Sequence, residues 1–191
     1  MTGQSYSAIN YPPLLKHILD GKEYGSILNS KNFTKHQLAW RNLFRELLNC
    51  PPENLEMAKT FHTNWHISHH YIRELIGNDD LLIDVLWVWL PPYKDRSPIT
   101  LYRGENIHRF DNNKIGTAWS SREEIARMFG RGLNAIHSGG TLLKTTAPAS
   151  SIIAAPSKHS VYLGEYEFTL DTRKLGEIIR VENFCQLTFS A

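Results

Sequence analysis

The sequence contains little cysteine and almost no net charge. Its two cysteines, Cys50 and Cys185, are too few for a disulfide scaffold or a thiolate zinc site, which favours two ordinary thiols in a reducing compartment. The formal net charge is only +2, so binding to a nucleic acid would require a local basic patch rather than the charge of the whole chain. Histone-like proteins and acidic tails are excluded.

Long hydrophobic runs are also missing. The most hydrophobic window, Leu81–Leu90, has half of the roughly 20 residues that a membrane span needs and ends at Pro91 and Pro92. It therefore predicts a buried element, and no membrane partner is expected. The N-terminal segment lacks a basic stretch followed by an apolar one, so we expect no secretory signal and a cytoplasmic location.

The pattern of the sequence changes near residue 95. Three prolines separate a helical N-terminal subdomain, 1–95, from a β-rich core, 96–191, and the length predicts that both form one compact unit of the α+β class. The helical half shows a capping box, Thr34 and Gln37, before an amphipathic helix. A second helix is predicted over 53–77 and an apolar third helix over 81–90.

The second half alternates short strand-like runs with glycine, proline, asparagine or aspartate. Six such runs predict strands: ITLYRG, GTAWSS, GTLLKTT, SSIIAAP, GEYEFTLD and EIIRVENF. One helix interrupts them, with Ser121 as its predicted cap and with Ile125, Met128 and Phe129 as its predicted buried face.

Several familiar catalytic and binding motifs are absent. The sequence has no nucleophile elbow GxSxG, no phosphate loop GxxxxGK[ST] and no dinucleotide fingerprint after a strand. Four histidines share one helical stretch, but no HExxH glutamate, nearby cysteine or fourth ligand accompanies them. A histidine-rich amphipathic helix is therefore favoured over a metal site at His62, His66, His69 and His70.

Three short motifs carry the chemistry. In GEYEFTLD, strand alternation predicts Glu165 and Glu167 side by side on one face, although a solvated polar face explains the pattern equally. In LYRGE, Arg103 is predicted to end a short strand immediately before Gly104, where its guanidinium can bind a diphosphate or lie on the surface. GTAWSS supplies two hydroxyls before a helix, Ser120 and Ser121, one of which could instead cap that helix.

In chain order these motifs are aromatic-Arg-Gly, a strand ending in serines, and Glu-x-Glu. This order resembles the R-S-E class of mono-ADP-ribosyltransferases, in which the three motifs lie on three core strands. The resemblance covers residues 99–171 and departs at the serine motif, which reads Ala118, Trp119, Ser120 or, one residue later, Trp119, Ser120, Ser121. It implies an ADP-ribosyltransferase-like split β-sandwich core preceded by the helical subdomain.

The resemblance also implies the reaction. Members of the class cleave NAD+, used here as co-substrate without a metal, and transfer ADP-ribose to an acceptor. By this analogy Glu167 stabilises the oxocarbenium-like ribose and Glu165 acts on the acceptor. Arg103 and Gly104 belong to the NAD-binding group, with the guanidinium on the diphosphate.

The serine motif completes the implied NAD+ site. Ser120, with Ser121 as the alternative, would position Glu167 or the ribose by hydrogen bonding. Trp119 would pack either near the nicotinamide or in the core.

The loop before the Glu-x-Glu strand is where relatives recognise their targets. Candidate acceptor contacts are therefore Lys158, His159 and Tyr162, and the acceptor would be a protein side chain such as arginine or a nucleic-acid base. Lys158 and His159 would form a basic lip together with Arg173 and Lys174.

Small members of the class are bacterial or phage-related toxins and effectors. By analogy we expect an intracellular toxin restrained by an inhibitory antitoxin or immunity protein. The alternatives are a non-catalytic binding module on the same fold and an NAD+ glycohydrolase.

Overall fold

A computed structural model describes residues 37–188, which form two units that divide between Pro91 and Pro92. The first is helical, and the second combines helices with a six-stranded antiparallel sheet, so the α+β class is confirmed. The expectation that both form one compact unit stays a prediction. No helix within residues 37–188 is both long and apolar enough to cross a membrane.

The first unit consists of three helices: α1 (Gln37–Leu47), α2 (Leu55–Ile76) and α3 (Asp79–Trp89). The buried residues of α1 follow the i, i+3, i+4, i+7 pattern that places side chains on one helical face, and they are Trp40, Leu43, Phe44 and Leu47. The Nε1 group of Trp89 donates to the carbonyl of Leu47 at 3.1 Å. Thr34, the first residue of the predicted capping box, lies outside the described residues.

Asparagine caps and a glycine set the bounds of α2 and α3. The side chain of Asn54 accepts from the N–H of Met57, and Gly77 ends α2 in the left-handed conformation at φ 56°. Asn78 caps α3 by accepting from the N–H of Leu81, so this helix begins two residues before the predicted start. Asp84 of α3 is exposed, which corrects the prediction that this helix is apolar on all sides.

Two of the α2 histidines are core residues. His62 and His66 are buried on this helix. Burial, followed by the nearby His66, lowers the pKa of His62 to about 4, so its imidazole is neutral at pH 7.

The second unit confirms all six predicted strands. They pair in the order β4-β5-β2-β1-β3-β6, every neighbouring pair being antiparallel. Their bounds are β1 Ile99–Asn106, β2 Ala118–Ser120, β3 Gly140–Ala147, β4 Ile152–Ala154, β5 Glu167–Leu170 and β6 Ile178–Phe184. The helices of this unit are α4 Ile107–Asp111, α5 Glu123–Arg131 and α6 Lys158–Tyr162.

Helix α5 differs from its prediction in its cap and in its buried face. Arg122, not Ser121, occupies the N-cap position, and no side chain caps the helix there. Met128 is 56% exposed, whereas Ala126 and Gly130 are buried. The reason is that α5 lies on the sheet through small residues, so a long methionine cannot occupy the contact.

Glycines permit this close approach. A Cβ at Gly104 of β1 would stand 2.2 Å from the carbonyl oxygen of Ala126 and from the nitrogen of Gly130. A Cβ at Gly140 of β3 would stand 1.8 Å from the carbonyl oxygen of Gly130. Gly104 is thus required by the packing of helix α5 on the sheet.

Candidate active site

The sheet register aligns residues from the three sequence motifs. Ser120 of β2 pairs directly with Glu167 of β5 on one side and with Tyr102 of β1 on the other. Directly opposed residues in an antiparallel sheet project from the same face, so these three side chains form one row. Strands β5, β2 and β1 are consecutive neighbours, which brings stretches far apart in the sequence together.

The prediction that Glu165 and Glu167 lie side by side on one strand face is wrong. β5 begins at Glu167, and Tyr166 has a left-handed backbone with φ 48°, so the alternation is broken between the two glutamates. The turn nevertheless brings them close, because carboxylate oxygens of Glu165 and Glu167 lie within 4.8 Å of each other. The guanidinium of Arg122 covers the Tyr166 ring at 3.9 Å from the centroid.

Glu167 lies in an environment that disfavours its ionised form. Burial raises the pKa of Glu167 to about 8; the Arg103 charge acts to lower it and the Glu165 charge adds to the rise. A raised carboxyl pKa near neutrality, beside a second carboxylate, is typical of catalytic sites.

Ser120 holds the turn that carries the glutamates. Its hydroxyl donates to the backbone carbonyl of Glu165 at 2.6 Å and accepts from the N–H of Arg122 at 3.0 Å. Ser121 contributes through its backbone, donating its N–H to the carbonyl of Tyr166 at 3.3 Å. Of the two candidate serines, Ser120 therefore has the hydroxyl that orders this site.

Arg103 lies in the interior of β1, not at the end of a short strand as predicted. Its Nε donates to a carboxylate oxygen of Glu105 at 2.7 Å, and its Nη1 donates to the carbonyl of Ala118. Its side chain is only 10% exposed. Because Arg103 alternates with Tyr102, it leaves the strand on the face opposite to the Ser120 and Glu167 row, although its charge still acts on Glu167.

Glu105 is a residue that the sequence motifs did not single out. It is fully buried, and besides Arg103 its carboxylate accepts from the N–H groups of Asn106 at 2.9 Å and Gly116 at 3.0 Å. Burial acts to raise its pKa, but the Arg103 charge and the two amides outweigh burial and hold the pKa of Glu105 below its usual value.

Gly116 makes room for this ion pair. A Cβ at this position would stand 2.2 Å from Nη2 of Arg103. The only sequence signals for the arrangement are the glutamate two residues after Arg103, which shares its strand face, and the glycine before β2.

Trp119 is a core residue, the second of the two roles considered for it. It is 1% exposed and packs in a cluster with Leu101, Leu143 and Phe168. Its Nε1 donates to the carbonyl of Gly116 at 3.1 Å. The described structure does not leave its indole open to a ligand.

The predicted acceptor residues lie on the short exposed helix α6. Tyr162 is 85% exposed, and Lys158 is exposed as well, whereas His159 is half-buried. Ser160 fixes this helix to the glutamates, because its hydroxyl accepts from the N–H of Glu167 at 2.8 Å and its carbonyl accepts from the N–H of Glu165 at 2.9 Å.

The predicted basic lip is partly neutralised. Arg173 donates from Nε to the buried carboxylate of Asp171 at 2.9 Å, and the ammonium of Lys174 lies 3.6 Å from the same group. Arg173 and Lys174 are therefore engaged within the protein.

Comparison with known proteins supplies no relative. No protein-family model, curated protein or solved structure matches this chain. The functional assignment therefore depends on the residues and their geometry.

Proposed function

We propose that this protein is a mono-ADP-ribosyltransferase with an ADP-ribosyltransferase-like split β-sandwich core. It would cleave the nicotinamide–ribose bond of NAD+ and transfer ADP-ribose to a macromolecule. The observation that carries the proposal is the direct pairing of Ser120 with Glu167, with Glu165 within 4.8 Å and Arg103 within electrostatic range. These are the residues on which the resemblance to the family depends.

The proposed reaction makes use of the charge on Glu167. As the bond to nicotinamide breaks, the ribose gains oxocarbenium character and nicotinamide leaves as a neutral molecule. An ionised Glu167 would stabilise that positive charge. Its pKa of about 8 in the free protein favours the protonated form at pH 7, and a bound cationic nicotinamide would shift it towards ionisation.

The neighbouring residues would position the reactants. Ser120 orders the turn on which both glutamates depend. In the free protein the Arg103 guanidinium bonds to Glu105 and Ala118 on the face of the sheet opposite to Glu167, so it would have to leave these partners to bind the diphosphate. Glu165 would orient the acceptor and take its proton as the new glycosidic bond forms.

The exposed helix α6 supports a macromolecular acceptor. The helix presents Val161 and Tyr162 at 45% and 85% exposure, and the next residue, Leu163, is 50% exposed. Such a surface suits contact with a protein side chain or a nucleic-acid base. An intracellular toxin or effector role, with an inhibitory antitoxin or immunity partner, is part of the proposal by analogy.

Release of nicotinamide from NAD+ tests this proposal. We expect release by the full chain with cell extract, and a loss of about 100-fold or more in Glu167→Gln, since removing one transition-state charge contact costs this much. Glu177→Gln, which removes an exposed carboxylate of the same unit, is the matched control. Arg103→Lys, which keeps the charge beside Glu105, should weaken NAD+ binding while preserving the fold.

The remaining outcomes separate the alternatives. Release that needs no acceptor indicates an NAD+ glycohydrolase, and NAD+ binding without release indicates a non-catalytic module. Prior treatment of the extract with protease or nuclease distinguishes protein from nucleic-acid acceptors. Equal release by wild type and Glu167→Gln would contradict the proposed role of Glu167.

A further inference from the structure

A second candidate site lies at the far end of β1. A cleft of about 560 Å3 opens between the segment that follows this strand and the segment that joins α5 to β3. Its lining includes Asn106, His108 and Arg109 on one side, and Leu133, Ile136 and His137 on the other. Neither the two glutamates nor Ser120 lines it.

Hydrogen bonds hold the two sides of the cleft together. The side-chain amide of Asn106 donates to the carbonyls of Asn134 and Ile136, both at 3.1 Å, and its oxygen accepts from the hydroxyl of Ser138 at 2.8 Å. Asn134 in turn donates to the carbonyl of Gly104 at 2.8 Å. The geometry of the cleft is thus built by side chains rather than left to an unsupported loop.

The charge in the cleft has one sign. Arg109, His108 and His137 are exposed, and among residues 37–188 no carboxylate lines the cleft. Within residues 37–188 the side chains of these three form no hydrogen bond or ion pair, so their donors are available to a ligand. A guanidinium and imidazoles are the side chains that bind phosphate oxygens in proteins.

Size and apolar surface narrow the ligand further. Small-molecule sites have volumes of roughly 300–1,000 Å3, and a single phosphate ion would leave most of this cleft unfilled. Leu133 is 72% exposed, and with Ile136 it offers apolar contact beside the guanidinium and the imidazoles. An imidazole can also stack on a base.

We propose that this cleft binds a nucleoside phosphate, with Arg109 on the phosphate and Leu133 and Ile136 beside the nucleoside. This site is separate from Glu167 and does not depend on the reaction proposed there. It gives the protein a place to bind a second nucleotide ligand.

Calorimetric titration of the full chain with ADP tests the proposal. We expect Arg109→Gln to weaken ADP binding by about tenfold or more, because a charge-assisted bond to phosphate contributes about 1.5–3 kcal/mol and 1.4 kcal/mol is tenfold. Arg96→Gln, at an exposed loop arginine of the same unit, should bind as wild type does. His137→Asn should also weaken binding, and asparagine tolerates the left-handed backbone at φ 72°.

Two further arms distinguish this site from the one at Glu167. Glu177→Gln, outside both sites, should leave ADP binding unchanged, whereas ADP binding that is lost in Arg103→Lys and kept in Arg109→Gln overturns the proposal. Inorganic phosphate and adenosine should each bind at least tenfold more weakly than ADP. Phosphate that binds as tightly as ADP would overturn the nucleoside assignment. Nicotinamide release is measured separately, so failure of either proposal is recognised independently of the other.

Discussion

Glu105 and Glu167 lie in the same sheet, and burial acts to raise the pKa of both, yet they differ in their compensation. Glu105 receives a direct bond from Arg103 and two backbone N–H groups, and its pKa falls. The charge of Arg103 acts on Glu167 without a direct bond, and the charge of Glu165 lies beside it. The pKa of Glu167 therefore rises to about 8. The lowered pKa of Glu105 keeps its carboxylate ionised at neutral pH, whereas the raised pKa of Glu167 favours the protonated carboxyl.

The comparison separates a structural pair from a reactive one. A buried carboxylate with satisfied hydrogen bonds costs little to keep ionised and links neighbouring strands. A carboxylate whose ionised form is disfavoured reduces stability at high pH, which is a common property of functional groups. Arg103 takes part in both, since it is bonded to Glu105 and charged near Glu167.

The largest expected effect comes from removing the charge of Glu105. Glu105→Gln keeps the side-chain volume but leaves Arg103 without its buried partner, so we expect a loss of about 3–5 kcal/mol in the free energy of unfolding. Urea denaturation of the full chain measures it. Glu124→Gln, whose side chain is 69% exposed, should change stability by less than about 0.5 kcal/mol. Similar values for the two variants would show that Glu105 is not structurally essential.

Much of the fold could be predicted from sequence because periodicity and turn residues are local signals. All six strands and the end of α2 at Gly77 follow from alternation, glycine and proline, whereas α2 begins at Leu55, two residues after the predicted start. Helix α5 shows the limit, since Met128 fits its amphipathic pattern but is exposed. The close approach at Gly104 depends on another element and is not encoded locally.

The site could be predicted only in part. Arg103, Ser120 and Glu167 are found on neighbouring strands, as the resemblance implied. The motif does not indicate that Arg103 pairs with Glu105, because this ion pair depends on the space that Gly116 leaves for the guanidinium. The turn at Tyr166 was also missed, since a left-handed tyrosine has no local sequence signal.

A substitution at Gly116 tests the Arg103–Glu105 ion pair from the side of the arginine. In Gly116→Ala the new Cβ would displace the Arg103 guanidinium from Glu105, so we expect a loss of about 2–3 kcal/mol, within the usual range for overpacking. Gly176→Ala is the control, because in the described part of the chain no atom other than those of its sequence neighbours lies within 4 Å of a Cβ there. Equal melting temperatures for both variants would mean that Arg103 adjusts without cost.

Stability as a function of pH examines the reactive carboxylate. Because the folded pKa of Glu167 is about 8, above the ordinary glutamate value of 4.5, its stabilising contribution is complete below about pH 4.5 and is lost as the pH rises through 8. Glu167→Gln cannot ionise and should be more stable than wild type at pH 9, by about 1–2 kcal/mol after allowance for solvent screening. The difference should shrink towards pH 5, and a wild type that is the more stable at pH 9 would contradict it.

The smallest effect is expected from Glu165, and it concerns the pH at which the proposed enzyme works. If catalysis requires ionised Glu167, kcat/KM for NAD+ should rise with pH through the pKa of the free protein. The charge of Glu165 raises that pKa, so Glu165→Gln should move the midpoint to lower pH, while Glu177→Gln should leave it in place. The measurement is the pH midpoint of nicotinamide release with cell extract, and midpoints rather than rates are compared because Glu165 is also the proposed acceptor base. A midpoint that stays fixed or moves to higher pH in Glu165→Gln would show that the two carboxylates are not coupled. The difference between the pKa values of Glu167 and Glu105 would then come from burial, without a contribution from the charge of Glu165.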